Sequence, residues 1–330
     1  MSDPVPATGL AGRRKGPKTL PKLPLSAFSP PPTGVAESFG LAASPSTIHP
    51  ETVVDSHVLL TGSKSLDQWK QEAGGSFVGR VTGVVANAHG SDLSKVIADL
   101  ESVGESPQII SLAVPFELNG PEPTIPSTKI PISFVTTFNG PAPEGVTRLR
   151  GVLEKGRPVE IIVEDLANEG NLEALEELLA KSTADLSNLP PIVLSNFVPP
   201  PQDSDLPSHK LMNHPAYQAF QTQTTALSLY ADVSVKFLPP SWVLADGGET
   251  EDPAKSKREW KRRIKMYLAP IIEAFGFERI LFGSSPAPAT KSPLAENWYE
   301  LARESLAELG IEQEFINAVF SDNAKRFYSL

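Results

Sequence analysis

The sequence predicts an α/β fold: an eight-stranded parallel (β/α)8 barrel of the TIM type behind a Pro-rich N-terminal arm. Three observations carry this. Short apolar strand patterns alternate with helical stripes from residue 52 onward, the rhythm of a parallel sheet with helical crossovers. Eight such strands can be placed, which a doubly wound sheet accommodates poorly. The last, Arg279-Ile280-Leu281-Phe282, runs into Gly283-Ser284-Ser285-Pro286, so a buried strand delivers small polar groups to its own C-terminal end, where α/β barrels keep their chemistry.

In chain order the predicted strands are residues 52–59, 81–88, 108–114, 131–138, 159–163, 191–196, 232–238 and 279–282, short runs rich in Val, Ile, Leu and Phe. The helices follow from spacing. Leu93, Val96, Ile97 and Leu100 form a stripe capped by Ser91, and Leu172, Leu175, Leu178 and Leu179 follow Asn171. Trp260, Ile264, Tyr267, Leu268, Ile271 and Phe275 form a longer stripe, ended by Gly276 and expected to kink at Pro270. Leu294, Trp298, Leu301 and Leu309 line the final helix, which Gly310 stops. The third crossover is the exception. Gly120, Pro121, Pro123 and Pro126 predict a loop where an outer helix belongs, and with it a distorted barrel. An acidic, Gly-rich insertion, 245–256, follows the seventh strand on the catalytic face.

Residues 1–50, with Pro30-Pro31-Pro32 at their centre, are expected to be a disordered or loosely packed basic arm, leaving 51–330 as the barrel. With 330 residues, 40% of them hydrophobic, the chain has material for one barrel and that arm. Net charge is −10, and because Arg13, Arg14, Lys15, Lys18 and Lys22 oppose only Asp3 and Glu37 in the arm, the barrel is more acidic still. An acidic barrel is a poor nucleic-acid binder. The absence of cysteine excludes disulfides, thiolate metal sites and a cysteine nucleophile, and no long apolar run predicts a membrane span. A cytoplasmic protein is expected, with a small molecule at the barrel mouth as its partner and neither nucleic acid nor membrane.

The segment Arg279 to Pro286 resembles the last strand of the amidohydrolase-related family, in its lactonase-like branch, where the wording is R-[IL]-[ML]-F-G-S-D-W-P. Trp298-Tyr299-Glu300-Leu301 and Asp322-Asn323-Ala324-Lys325-Arg326-Phe327-Tyr328 are similar to that family's closing helix and its N-A-x-R-F-Y ending. The resemblance implies a hydrolase acting on a small lactone or carboxylated ester. It also implies a metal site that has lost most of its ligands. The family's first strand ends D-x-H-x-H; here Asp55-Ser56-His57-Val58-Leu59 keeps His57, with Leu59 at the second histidine position. A mid-barrel Asp-His reads Ser195-Asn196, the last-strand aspartate reads Ser285, and Val235-Lys236-Phe237-Leu238-Pro239 keeps only the lysine of v-K-L-S-G. Zinc needs about three protein ligands and an open position. With His57 alone retained, no metal cofactor is expected, and zinc enters only if ligands have relocated. The family's metal-free members keep the last-strand aspartate as the base, a role Ser285 cannot fill unaided.

A rearranged site can still be read from the strand ends. His57, His89 past the second strand, Asp165 past the fifth and Lys236 in the seventh are the expected catalytic set. A His–carboxylate pair would serve as general base, and Lys236 would hold an anion or, if desolvated, act as a nucleophile. Glu164, Asn196, Ser284 and Ser285 are the expected substrate-binding groups. The alternative is a pseudoenzyme, a barrel that binds a metabolite or protein without turnover, its mouth plugged by Leu59 and Phe237 and its His57 a hydrogen-bonded core histidine. A serine-hydrolase reading fails for want of a G-x-S-x-G elbow. His49, His209 and His214, in Pro-flanked loops, are expected to be solvated, and Asn323 to cap the last turn. The basic cluster Lys255 to Arg263 reads as a solvated helix face or as an anion or partner contact.

Overall fold

The computed structural model describes residues 44–61, 65–102, 104, 106–164, 169–200, 208–240, 242, 253–288 and 295–328. Residues 1–43, and with them nearly all of the predicted arm, lie outside the described residues, as does Asp165. Eight strands follow one another around the barrel in chain order: β1 (Val53–Leu59), β2 (Val81–Asn87), β3 (Gln108–Pro115), β4 (Ile132–Phe138), β5 (Val159–Val163), β6 (Ile192–Val198), β7 (Val233–Phe237) and β8 (Ile280–Phe282). Each pairs in parallel with the next. Residues 116–131, between β3 and β4, contain no helix, because the prolines there remove donors and fix φ.

Strand alternation divides the side chains into two sets. Val84, Leu112, Phe134, Ile161, Leu194, Val235 and Ile280 point outward and merge with the helices in one apolar core. Val54, Val85, Val193 and Leu281 point inward at the N-terminal end, where Phe327 and Tyr328 of the last helix, Asn323–Tyr328, close the floor. Ala113, Val135, Ile162 and Ala287 form a separate inner cluster.

Between β8 and β1 the barrel is drawn shut by individual bonds. The Ser285 amide donates to the His57 carbonyl (3.1 Å), the Ser56 hydroxyl to the Phe282 carbonyl (2.7 Å), and the Leu59 amide to the Ser285 hydroxyl (3.1 Å). Gly283 permits this approach, since a Cβ there would stand 2.6 Å from both the His57 Cβ and a Leu238 methyl.

Several local expectations change. Asp92, not Ser91, caps the helix Leu93–Ser102, accepting from the Ser94 and Lys95 amides, while Ser91 donates to the Leu60 carbonyl. Asn323 is a buried clip and not a cap: its amide donates to the Phe277 and Ile280 carbonyls, pinning the last helix beneath β8. His214 accepts from the Ala216 amide to cap the helix Pro215–Ser228, and His49 lies half-buried with Nδ1 3.3 Å from the Tyr299 hydroxyl. Residues 45–49 of the predicted arm are pinned, since the buried Arg303 donates to the Pro45 and Ile48 carbonyls and Gln313 to that of His49. From the basic cluster, Lys257 and Lys261 pair with Glu304, and Lys261 also with Glu308, joining the helix Pro253–Phe275 to the chain after Ala295. Among the described residues, no helix is long and apolar enough to cross a membrane.

Candidate active site

Two charged residues interrupt the inward rows of otherwise apolar or small strands: Glu160 in Val159-Glu160-Ile161-Ile162-Val163 and Lys236 in Val233-Ser234-Val235-Lys236-Phe237. Both are buried, where an unpaired charge would be prohibitively costly. They meet across the barrel, Lys236 Nζ donating to Glu160 Oε2 at 2.8 Å.

His57 completes the group. Val54 belongs to the inner floor and Val58 to the outer core, so β1 slips out of strict alternation, and its ladder register shifts between Asp55 and Val58. His57 Nδ1 lies 3.1 Å from Glu160 Oε1 and 3.3 Å from Lys236 Nζ. Burial disfavours the charged form of Glu160, but the Lys236 ammonium and the His57 ring outweigh it and hold its carboxyl well below the usual carboxylate range. Burial pulls the Lys236 ammonium below the ordinary lysine value, with Glu160 and then Asp55 acting against that pull. The Tyr328 ring lies beneath, its centroid 5.9 Å from Nζ. Its hydroxyl is pushed well above the ordinary tyrosine value by burial and by Glu160.

Asp55 orients the first strand from within. Its Oδ1 accepts from the His57 amide (3.1 Å) and the Ser284 amide (2.9 Å), and burial raises its pKa despite those bonds. Among the described residues, Glu160 Oε1, His57 Nε2, Asp55 Oδ2, Asn87 Nδ2, Ser195 Oγ and Ser284 Oγ are among the buried polar atoms without a hydrogen-bond partner. They come from β1, β2, β5, β6 and the turn after β8, and native proteins leave few such atoms unmet.

Of the expected catalytic residues, the structure brings His57 and Lys236 together. His89 stands on the loop after β2, its amide bonded to Asn87 Oδ1, with no hydrogen bond or ion pair to the group among the described residues. Glu164 is exposed. Asn196 takes a φ of 61° and donates to the Val163 carbonyl, and the Ser284 amide and both polar groups of Ser285 serve the seam. Phe237 points outward against Trp298, ring centroids 4.9 Å apart, so it does not plug the mouth. Sequence reasoning missed Glu160. Its signal was an isolated acid at an inward position of an apolar strand, demanding a partner that the lone lysine of β7 could supply.

Among the described residues, no three His, Asp or Glu side chains converge as a metal site. The centre of the group is already held by an ammonium, so its chemistry does not fit a resident dication.

Comparison with known proteins sets this barrel in context. No protein-family model matches the chain, and no curated protein does. Solved structures match it across 84% of its length. An amidohydrolase from Burkholderia multivorans, solved with bound zinc, is 16% identical with a TM-score of 0.59 over 99% of that chain. The fold is that of the amidohydrolase-related barrels. A putative 2-pyrone-4,6-dicarboxylic acid hydrolase from Pseudomonas putida is 16% identical with a TM-score of 0.54 over 98% of that chain. Amidohydrolase 2 from Bifidobacterium longum subsp. infantis is 14% identical with a TM-score of 0.52 over 99% of that chain.

Proposed function

We propose that this chain is a divergent, cytoplasmic hydrolase of the amidohydrolase-related, lactonase-like type, cleaving a small lactone or ester without a metal. The observation that carries the proposal is the buried His57–Glu160 pair with His57 Nε2 left free. In the proposed state the Nδ1 proton turns to Glu160 Oε1, 3.1 Å away, instead of leaving a lone pair for Lys236 Nζ at 3.3 Å, so the ring presents Nε2 as a base and the carboxylate offsets the charge the ring acquires. Nε2 takes a proton from water as the oxygen attacks the lactone carbonyl. The ring C–O bond then breaks, and the imidazolium returns the proton to the departing alkoxide. Lys236 is a positioning residue in this scheme: bound to Glu160, it keeps the carboxylate ionised and is neither a nucleophile nor an anion holder. The hydrolase named for 2-pyrone-4,6-dicarboxylic acid among the solved structures of this fold supports lactone opening as the reaction class.

A second reading, a barrel that binds without turnover, is favoured by one observation: His57 and Lys236 have no exposed surface at all. Proton release from a panel of γ- and δ-lactones, measured with and without chelator, separates the two. Chelator-insensitive turnover that falls at least 100-fold in His57→Gln, at unchanged melting temperature, supports the hydrolase. Equal turnover by His57→Gln, or turnover abolished by chelator, overturns the base assigned; no turnover of any lactone favours the second reading.

A further inference from the structure

We infer that Ala113, Val135 and Ile162 form an apolar subsite at the barrel mouth, filled in this closed state by the protein's own Ala287, and that lifting residues 286–288 opens it to the short, uncharged alkyl part of a ligand. Topology points there first. The three wall residues belong to β3, β4 and β5, whereas Ala287 stands past the end of β8, which adjoins β7 and, through the seam, β1. To pack with that wall, the chain after β8 has to cross the mouth from one side of the barrel to the other. All four side chains are buried, so the crossing is a packed strap over the end where ligands enter barrels of this kind.

The strap is anchored at its root and weakly held at its tip. The Ser284 amide donates to Asp55 Oδ1 (2.9 Å) and the Ser285 amide to the His57 carbonyl (3.1 Å), while the Ser285 hydroxyl accepts from the Leu59 amide, so the root is fixed to β1. Beyond it, Pro286 and Pro288 have no N–H to give, and among the described residues no hydrogen bond holds 286–288. The buried methyl of Ala287 keeps the tip down, and a segment held by so little apolar surface opens locally without the fold. Lifting the tip leaves the bonds to β1, and so the place of His57, unchanged. Charge sets the class of occupant. Among the strand residues the formally charged side chains are Asp55, Glu160 and Lys236, and the ammonium is bound to Glu160. Such an interior has no cation to spare for a carboxylate, whereas an alkyl group takes the place of the Ala287 methyl on a surface of its own kind. The inference rests on the hydrolase reading only in calling the occupant a substrate, and it narrows that substrate to uncharged lactones with a short alkyl substituent.

The chain has no cysteine, so Ala113→Cys places a single thiol in the wall beneath the strap. Its labelling is followed with methyl methanethiosulfonate and with the anionic 2-sulfonatoethyl analogue, in buffer and in urea below the unfolding transition, each rate divided by that of free cysteine. The uncharged reagent should label at a rate that urea does not change, and the anion at least about 10-fold more slowly. Excess γ-valerolactone should slow the labelling, and a γ-lactone carrying a carboxylate should not. Adding Ala287→Asp should speed it, because a carboxylate cannot rest on an apolar wall. If Ala113→Cys fails to fold, Val135→Cys reads the same wall. A thiol that reacts only as fast as the whole chain unfolds overturns the inference. So do equal normalised rates for the two reagents, or no protection by γ-valerolactone. No turnover is read, so the two proposals fail separately. A wall that opens in a protein hydrolysing no lactone counts against the hydrolase alone, and lactone turnover with a thiol silent below unfolding counts against the strap alone.

Discussion

Replacing Glu160 by Gln keeps the shape of the side chain and removes the counter-charge of a fully buried ammonium. Lys236 Nζ has Glu160 Oε2 at 2.8 Å, with the His57 ring and the Tyr328 face as other close neighbours; the charge of Asp55 also acts on it, but Glu160 is the carboxylate it is hydrogen-bonded to. Breaking a buried pair by removing one partner costs about 3–5 kcal/mol. For a barrel of this size that lowers the melting temperature by on the order of 10 °C. The double variant Glu160→Leu/Lys236→Met puts apolar side chains where both charges stood and should recover most of the loss, because the cost lies in the orphaned charge. Urea denaturation at neutral pH measures all three proteins. A Glu160→Gln variant within about 1 kcal/mol of wild type, where most surface changes fall, would refute the buried-pair reasoning. So would a double variant as unstable as the single.

The same pair sets a pH signature. Glu160 is held well below its ordinary value of 4.5, so in that window the unfolded chain binds a proton that the folded chain does not. Its contribution is therefore fully present above the ordinary carboxylate range and is lost as pH falls from there through the depressed folded value. Asp55 runs the other way: raised above 3.8 by burial, its folded carboxyl holds the proton longer and gains stability as pH falls. The Gln variant at 160 should therefore show a shallower acid limb than wild type.

Three further outcomes follow from particular bonds. Asp55→Ala leaves the His57 and Ser284 amides without their acceptor and should cost about 1–3 kcal/mol for each, whereas Asp55→Asn, whose amide oxygen still accepts, should cost clearly less in urea melts. Asn323→Ala strips the clip on the Phe277 and Ile280 carbonyls; a loss of about 1–3 kcal/mol is expected, with faster hydrogen exchange across residues 323–328. Arg303→Met releases the Pro45 and Ile48 carbonyls, so limited proteolysis should cut residues 44–52 faster while the barrel stays intact.

The barrel was legible because its strands are buried on both faces, which concentrates Val, Ile and Leu into short runs, and because Pro121, Pro123 and Pro126 mark the crossover without a helix. Every strand boundary falls within two residues of its expected place. The site was legible only where a motif or an odd charge marked it. His57 stood in a recognisable strand ending and Lys236 was a lone lysine, but Glu160 lies near the start of an apolar strand, away from the strand ends where barrel chemistry is expected. His89 and Glu164 satisfy that preference and join no bond to the central group, since polar residues end every strand of such a fold. Ser284 and Ser285 resembled ligand contacts, yet the seam between β8 and β1 uses them, and barrel closure leaves no periodic trace in a sequence.

The base assigned to His57 requires its proton on Nδ1. Long-range proton–nitrogen correlation spectra of protein labelled with 15N-histidine at neutral pH, with His57→Gln to assign the signal among five histidines, measure this directly. A ring protonated at Nδ1, with Nε2 unprotonated, is the predicted result. A ring protonated at Nε2, donating nothing to Glu160, would contradict the account.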